Sequence, residues 1–201
     1  SRNRQHHINR ALESAALPRR QRPSSVQPNL AQPMKKLVLT LALALAAFAV
    51  RAEEVKLTGV HLCCGSCVKG AEKAAAKSGA TVTVDKDAGT VAISAANKAA
   101  IQQAVDGLVA AGYYGKSSDA SVKLNDGGAK DAKVASAKFE GVHLCCAKCV
   151  TAVQKAVGSV PGVKANTAEK NAKVFEVTGD FSPKAVLGAL QAAGLTGVVA
   201  K

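Results

Sequence analysis

From residue 53 onward the apolar positions pass through a fixed order of periods, and then repeat it. Val55 and Leu57 alternate with Lys56 and Thr58, as in a strand with one buried face. After Cys67 the spacing becomes helical: Val68, Ala71 and Ala75 share a face, with Lys69, Glu72 and Lys73 opposite. Thr81–Val84 and Thr90–Ile93 read as a hairpin about the turn Asp85-Lys-Asp-Ala-Gly89. Ile101, Ala104, Val105 and Leu108 mark a second helix that Gly112 stops, and a short strand ends the run. The second pass is sharper. Val150, Val153, Val157 and Val160 recur at helical spacing up to Pro161-Gly162, and Val163–Thr167 and Lys173–Val177 flank a turn at Glu169-Lys-Asn171. Ser182-Pro183 opens the last helix as N-cap and first residue, and Gly194 closes it. The order β-α-β-β-α-β in about 65 residues is that of the split βαβ, ferredoxin-like sandwich. The expected fold class is α+β, with two such sandwiches in tandem, each with a modest core.

The repetition extends to identical residues. Lys56-Leu-Thr-Gly-Val-His-Leu-Cys-Cys-Gly-Ser-Cys-Val68 returns as Lys138-Phe-Glu-Gly-Val-His-Leu-Cys-Cys-Ala-Lys-Cys-Val150, an offset of 82. Ala110-Ala-Gly-Tyr-Tyr-Gly115 returns as Ala192-Ala-Gly-Leu-Thr-Gly197 at the same offset. A repeat this long is a duplicated domain rather than a solenoid unit. The expected domains are residues 53–124 and 138–201, and the small, polar stretch 125–137 between them reads as a flexible linker. Val60, Leu62, Val142 and Leu144 are loop residues expected to pack inward. Tyr113 and Tyr114 are expected to pack just after the helix stop, as Leu195 does at the equivalent place.

The first quarter differs. Met34-Lys35-Lys36 precedes an apolar run from Leu37 to Val50 and then Val50-Arg51-Ala52, the pattern of a secretory signal peptide over residues 34–52, with cleavage expected after Ala52 and Ala49 as the second choice. Fourteen residues, all apolar but Thr40, at about 1.5 Å each fall short of a ~30 Å hydrocarbon layer, so no permanent membrane span is expected. Residues 1–33, rich in Arg, Gln, Pro and Ser, read as a disordered leader or as sequence upstream of the true start at Met34. The expected location is periplasmic or secreted.

The net charge of +13 suggests nucleic acid until its distribution is considered. Residues 1–52 carry +8 of it and all seven arginines. The folded part therefore lacks the side chain that makes bidentate guanine contacts and stacks on bases, and no nucleic-acid partner is expected. No paired carboxylates, Ser-His-Asp set or phosphate-binding loop occurs, so no catalytic turnover is expected either.

All six cysteines lie in the two motifs: Cys63, Cys64 and Cys67, then Cys145, Cys146 and Cys149. Cys64-x-x-Cys67 puts one sulfur in a loop and one at a helix start, where unpaired N–H groups and the helix dipole favour a thiolate. Soft sulfur donors select Cu(I), Zn(II) and similar ions. Cys63 with His61, and Cys145 with His143, offer third and fourth ligands, and Cys₃His is a recognised zinc set. The alternative for the histidines is a solvated loop position or a place behind the ligands. For the cysteines it is disulfide bonding, in which three per domain leave one unpaired and neighbours bridge only with strain. Gly65-Ser66 separates the paired cysteines of the first motif and Ala147-Lys148 those of the second, so Lys148 is expected to give the second the lower thiol pKa.

Gly59-Val-His-Leu-Cys-Cys-Gly-Ser-Cys67, Val160-Pro-Gly-Val163 and the Ala-Ala-Gly-Tyr ending resemble the heavy-metal-associated domain, the module of copper chaperones, metal-transporting ATPases and the periplasmic mercury-binding protein. The resemblance spans residues 55–124 and 138–200. It implies that Cys64 with Cys67, and Cys146 with Cys149, correspond to the family's two ligand cysteines. It also implies Cu(I) as the ion and a metal-transporting ATPase, or another metal donor or acceptor, as partner. The chain departs from the family's Gly-Met-x-Cys-x-x-Cys in having Val for Met, a longer loop and an added His and Cys. Three or four ligands suit Zn(II), Cd(II) or trigonal Cu(I) at least as well as two-coordinate Cu(I). The function expected is that of an exported soft-metal carrier or sequestering protein with two Cys-Cys-x-x-Cys sites. A thiol–disulfide oxidoreductase and a structural zinc module for protein interaction are the alternatives.

Overall fold

The computed structural model describes residues 52–201. The expected leader (1–33) and signal peptide (34–52) lie outside the described residues, Ala52 apart. Among the described residues no helix is long and apolar enough to cross a membrane.

The first half runs β1 (Glu53–Thr58), α1 (Gly65–Ala76), β2 (Thr81–Asp85), β3 (Thr90–Ala95), α2 (Lys98–Ala110) and β4 (Lys116–Ser117). The second runs β5 (Val134–Glu140), α3 (Ala147–Gly158), β6 (Val163–Asn166), β7 (Val174–Phe181), α4 (Pro183–Ala192) and β8 (Val198–Val199). The sheets have the orders β2-β3-β1-β4 and β6-β7-β5-β8, with all pairs antiparallel. The chain is thus α+β, and its architecture is compatible with two ferredoxin-like units.

The alternation seen in the sequence decides which side of each sheet is covered. Val55, Leu57, Val91 and Ile93 turn inward against Ile101, Ala104, Val105 and Leu108 of α2. The second core fills the same space with rings: Phe139 stands at the repeat position of Leu57 and Phe175 at that of Ile93, their centroids 5.7 Å apart. Ser182 caps α4 by accepting from the Ala185 amide, with Pro183 first in the helix, and Asn97 caps α2 through the Ala100 amide. Val60, Leu62, Val142 and Leu144 are all buried.

Two stretches differ from the sequence reading. Val134–Ala137, grouped with the linker for their small side chains, belong to β5 and pair with β7. The remaining connection is held against the second half: Gln191 donates to the Asp126 carbonyl, Ser182 to the Asp131 carboxylate, and Lys133 pairs with Asp180. Strand β7 also continues past Val177 through Thr178-Gly179-Asp180, because Gly179, at φ 145°, meets Gly162 across the pair where a side chain would not fit.

The halves meet through the turns that follow α2 and α4. Tyr113 and Leu195, equivalent in the repeat, form an antiparallel bridge. Its flanks are reciprocal: the Tyr114 amide donates to the Gly194 carbonyl at 3.2 Å and the Thr196 amide to the Gly112 carbonyl at 3.0 Å. Gly112 and Gly194, both left-handed, lie against the backbone of Gly141–His143 and Gly59–His61 respectively, so closely that a Cβ at either would overlap it. Each contact touches the loop just before the opposite cysteine motif, and so sets where the two motifs point.

Candidate metal centre

Each motif loop is fixed at both ends. The hairpin turn of each half holds its loop, at the start of the first through Val60 N–H to the Gly89 carbonyl (2.9 Å) and in the middle of the second through Asn171 N–H to the Leu144 carbonyl (2.7 Å). A helix begins at its end, with Cys64 and Cys146 as extended N-cap residues of α1 and α3. Neither helix has an acid in its first turn or a side-chain cap, unlike α2 and α4 with their Asn97 and Ser182 caps. The free N–H groups at these two starts thus face sulfur.

The sequence reading placed one site in each half; the structure brings all six sulfurs into one cluster. Cys63 Sγ lies 3.3 Å from Cys146 Sγ and 3.4 Å from Cys149 Sγ, both in the opposite motif, and 3.6 Å from Cys67 Sγ in its own. Cys67 Sγ is 3.5 Å from both Cys64 and Cys145 and 3.8 Å from Cys149. Cys146 Sγ is 3.7 Å from Cys149 and 4.0 Å from Cys64. None of the six is bridged. Cys67 and Cys149 are fully buried, and the other four are half-buried at the rim. The physical reason for one centre rather than two is the docking of the halves through Gly112 and Gly194, which turns the motifs toward each other.

The two histidines reach different sets of sulfurs, with Cys149 common to both. A donor atom of His143 is within 4.8 Å of the Cys67, Cys145 and Cys149 sulfurs, and one of His61 within 4.8 Å of those of Cys63 and Cys149. Their surroundings differ by two linked substitutions in the repeat, Tyr113 for Leu195 and Gly70 for Ala152. The Tyr113 ring stacks at a tilt on His143 with centroids 4.4 Å apart; its hydroxyl donates to the Cys67 carbonyl at 2.9 Å and lies 3.2 Å from His143 Nε2. At the equivalent place Leu195 has no hydroxyl, and His61 Nε2 is buried without a hydrogen-bond partner. Gly70 makes room for the tyrosine hydroxyl, which a Cβ there would overlap, and Ala152 stands at the repeat position of Gly70. The role of Tyr113 was missed in the sequence. A mid-helix glycine and a Tyr that both change in the other copy are the signal that could have shown it.

Burial pushes the Cys63 thiol up to about 12, and pushes Cys145 and Cys149 up as well. The cap-position sulfurs move the other way. The Cys67 backbone amide lowers Cys64, and the Cys149 amide, with that of Lys148 also contributing, brings Cys146 down to about 6. Lys148 acts on Cys146 through its backbone N–H. Burial lowers both His61 and His143, which keeps each imidazole neutral and able to donate a lone pair. Because a depressed thiol pKa means thiolate at all pH above it, Cys146 in the reduced, metal-free chain should be the first cysteine alkylated by iodoacetamide, with half-maximal rate near pH 6. Site-resolved mass spectrometry reads this, and first labelling at Cys63 or Cys145 would contradict it.

The donor set fits a thiophilic cation. Sulfurs ~2.3 Å from a tetrahedral ion stand ~3.8 Å from one another, within the range found here. His61 brings a ring nitrogen within 4.8 Å of two of those sulfurs, and its buried Nε2 has no hydrogen-bond partner, so neutral imidazole is present where a thiophilic ion would accept a nitrogen donor. The Tyr113→Phe variant should lose about 1–2 kcal/mol of stability in a urea titration, because the Cys67 carbonyl and His143 Nε2 lose a shared buried partner.

The sequence matches no protein-family model and no curated protein. Among solved structures it is similar to the N-terminal soluble domains of Bacillus subtilis CopA, with 17% identity and a TM-score of 0.28, over 75% of this chain and 95% of that one.

Proposed function

We propose that the protein binds a soft metal ion as cargo, Cu(I) or Zn(II), and that it works outside the cytoplasm as a carrier or store, without catalytic turnover. The observation that carries this reading is the convergence of six unbridged cysteine sulfurs from both halves, with a ring nitrogen of each histidine within 4.8 Å of at least two of them. Cys64 and Cys146 stand at the rim with thiolate character, where an incoming ion or an exchanging thiolate of a donor or acceptor, such as a metal-transporting ATPase, meets them first. Cys67 and Cys149, fully buried, would hold the ion once it enters. Each half has an apolar core of its own; that of the first half reaches the buried Cys67 and Cys149 but is otherwise mostly Val, Leu, Ile and Ala, and that of the second half contains no cysteine, which suits a protein that stays folded when it releases its cargo.

The test is metal analysis of protein purified without oxygen, followed by a chelator challenge. The expected result is a thiophilic metal that leaves quickly while the circular-dichroism spectrum is retained. Unfolding on removal would make the site a structural one. Absence of metal together with disulfide-reducing activity would instead make the thiols a redox centre.

A further inference from the structure

We infer that the six sulfurs form one polynuclear site, in which thiolates from the two halves bridge several Cu(I) ions and the chain loads as a unit. The inference rests on the soft-metal reading above and goes beyond it in stoichiometry and in which residues are shared.

The argument turns on Cys63 and Cys145, the cysteine in each half outside Cys-x-x-Cys. Cys63 Sγ is nearer to Cys146 (3.3 Å) and Cys149 (3.4 Å) of the other half than to Cys67 of its own (3.6 Å). Cys145 Sγ likewise is nearer to Cys67 across the boundary (3.5 Å) than to Cys149 beside it (3.7 Å). The third cysteine of each motif therefore joins the halves.

Metal-ligand groupings in the centre overlap. Cys63, Cys64 and Cys67 form one; Cys64, Cys145 and Cys146 another; His61, Cys63 and Cys149 a third; and Cys67, His143, Cys145 and Cys149 a fourth. Cys63, Cys64, Cys67, Cys145 and Cys149 each belong to two of them. A single tetrahedral ion uses about four donors and would leave other sulfurs crowded beside it. Sharing resolves the crowding, because a thiolate has lone pairs for two metals. If each thiolate bridges two ions and each Cu(I) takes about three sulfurs, the set is complete at about four Cu(I). Each bound thiol exchanges its proton for the metal, so the step is a ligand substitution and needs no oxidant or reductant.

The experiment is native mass spectrometry of the full chain, titrated without oxygen with Cu(I) supplied as its acetonitrile complex, with X-ray absorption on the loaded protein. The expected result is about four Cu(I) per chain, with partly loaded species scarce and a metal–metal scattering shell. A double variant, Cys63→Ser with Cys145→Ser, keeps both Cys-x-x-Cys pairs and should fall to about two ions, taken up independently and without that shell. One or two ions bound independently by the unaltered chain would overturn the polynuclear site and leave the soft-metal reading standing. A double variant that still loads about four ions with a metal–metal shell would overturn the bridging role of Cys63 and Cys145. No uptake at all would remove both readings.

Discussion

Replacing Cys149 by serine should weaken Cu(I) binding by ~100-fold or more. Loss of groups that only orient ligands costs about 10–100-fold, and Cys149 is placed to be a ligand itself. Its sulfur lies within 3.4–3.8 Å of four others, those of Cys63, Cys67, Cys145 and Cys146, drawn from both motifs. A hydroxyl is a hard, weakly acidic donor and does not substitute for a thiolate toward Cu(I). The position is fully buried, so part of the damage could come from burying a hydroxyl. Thermal melting of the metal-free variant separates the two effects. Competition with a chromophoric Cu(I) chelator should show the affinity loss, while the melting temperature of the metal-free protein moves by a few degrees only. An affinity within about threefold of the unaltered chain would mean that the ion does not reach the buried sulfurs.

The second large effect is expected at Gly112, far from any sulfur in sequence. Gly112 has φ of 85°, where a β-branched side chain is an outlier, and its missing Cβ faces the His143 amide and the Gly141 carbonyl oxygen. Gly112→Val therefore adds backbone strain and forces the halves apart. A loss of about 3 kcal/mol follows, close to 10 °C in melting temperature for a unit of this size. The functional consequence is sharper than the thermal one. With the turns separated, each motif keeps its own Cys-x-x-Cys pair but loses the opposite sulfurs, and metal uptake should become non-cooperative. Gly158→Ala is the control: its Cβ would meet nothing, its backbone is helical, and stability should stay the same or rise by about 0.5–1 kcal/mol. Equal metal uptake by Gly112→Val and the unaltered chain would show that the halves do not need this contact to share the centre.

Much of the architecture was legible because it follows from local periods. The buried positions of β1, β3 and α2 follow the alternating and helical patterns directly, and the Ser182-Pro183 start of α4 follows from which residues can satisfy or dispense with a free N–H. The candidate donors were legible for a similar reason, since all six cysteines and two histidines are confined to two short loops. The stretch 125–137 was less so. Its small polar residues describe a chain with no core of its own, yet Val134–Ala137 find a partner strand in β7 and Gly127 packs against Leu187.

What the amino-acid sequence determined by itself was the content of each half: its elements, its inward face, and a loop with three sulfurs and an imidazole leading into a helix. The odd sulfur in each half spoke in the sequence only against disulfide pairing within a half. Only the tertiary structure decided that the halves complete each other. The docking contacts are backbone to backbone, at Gly112 and Gly194 and in the Tyr113–Leu195 bridge, and a main-chain contact between distant turns leaves no period in the sequence. The same contacts explain the unequal histidines: exchange of Tyr113 for Leu195 is a small change in composition, and it has consequences only because each turn reaches across to the other half's loop.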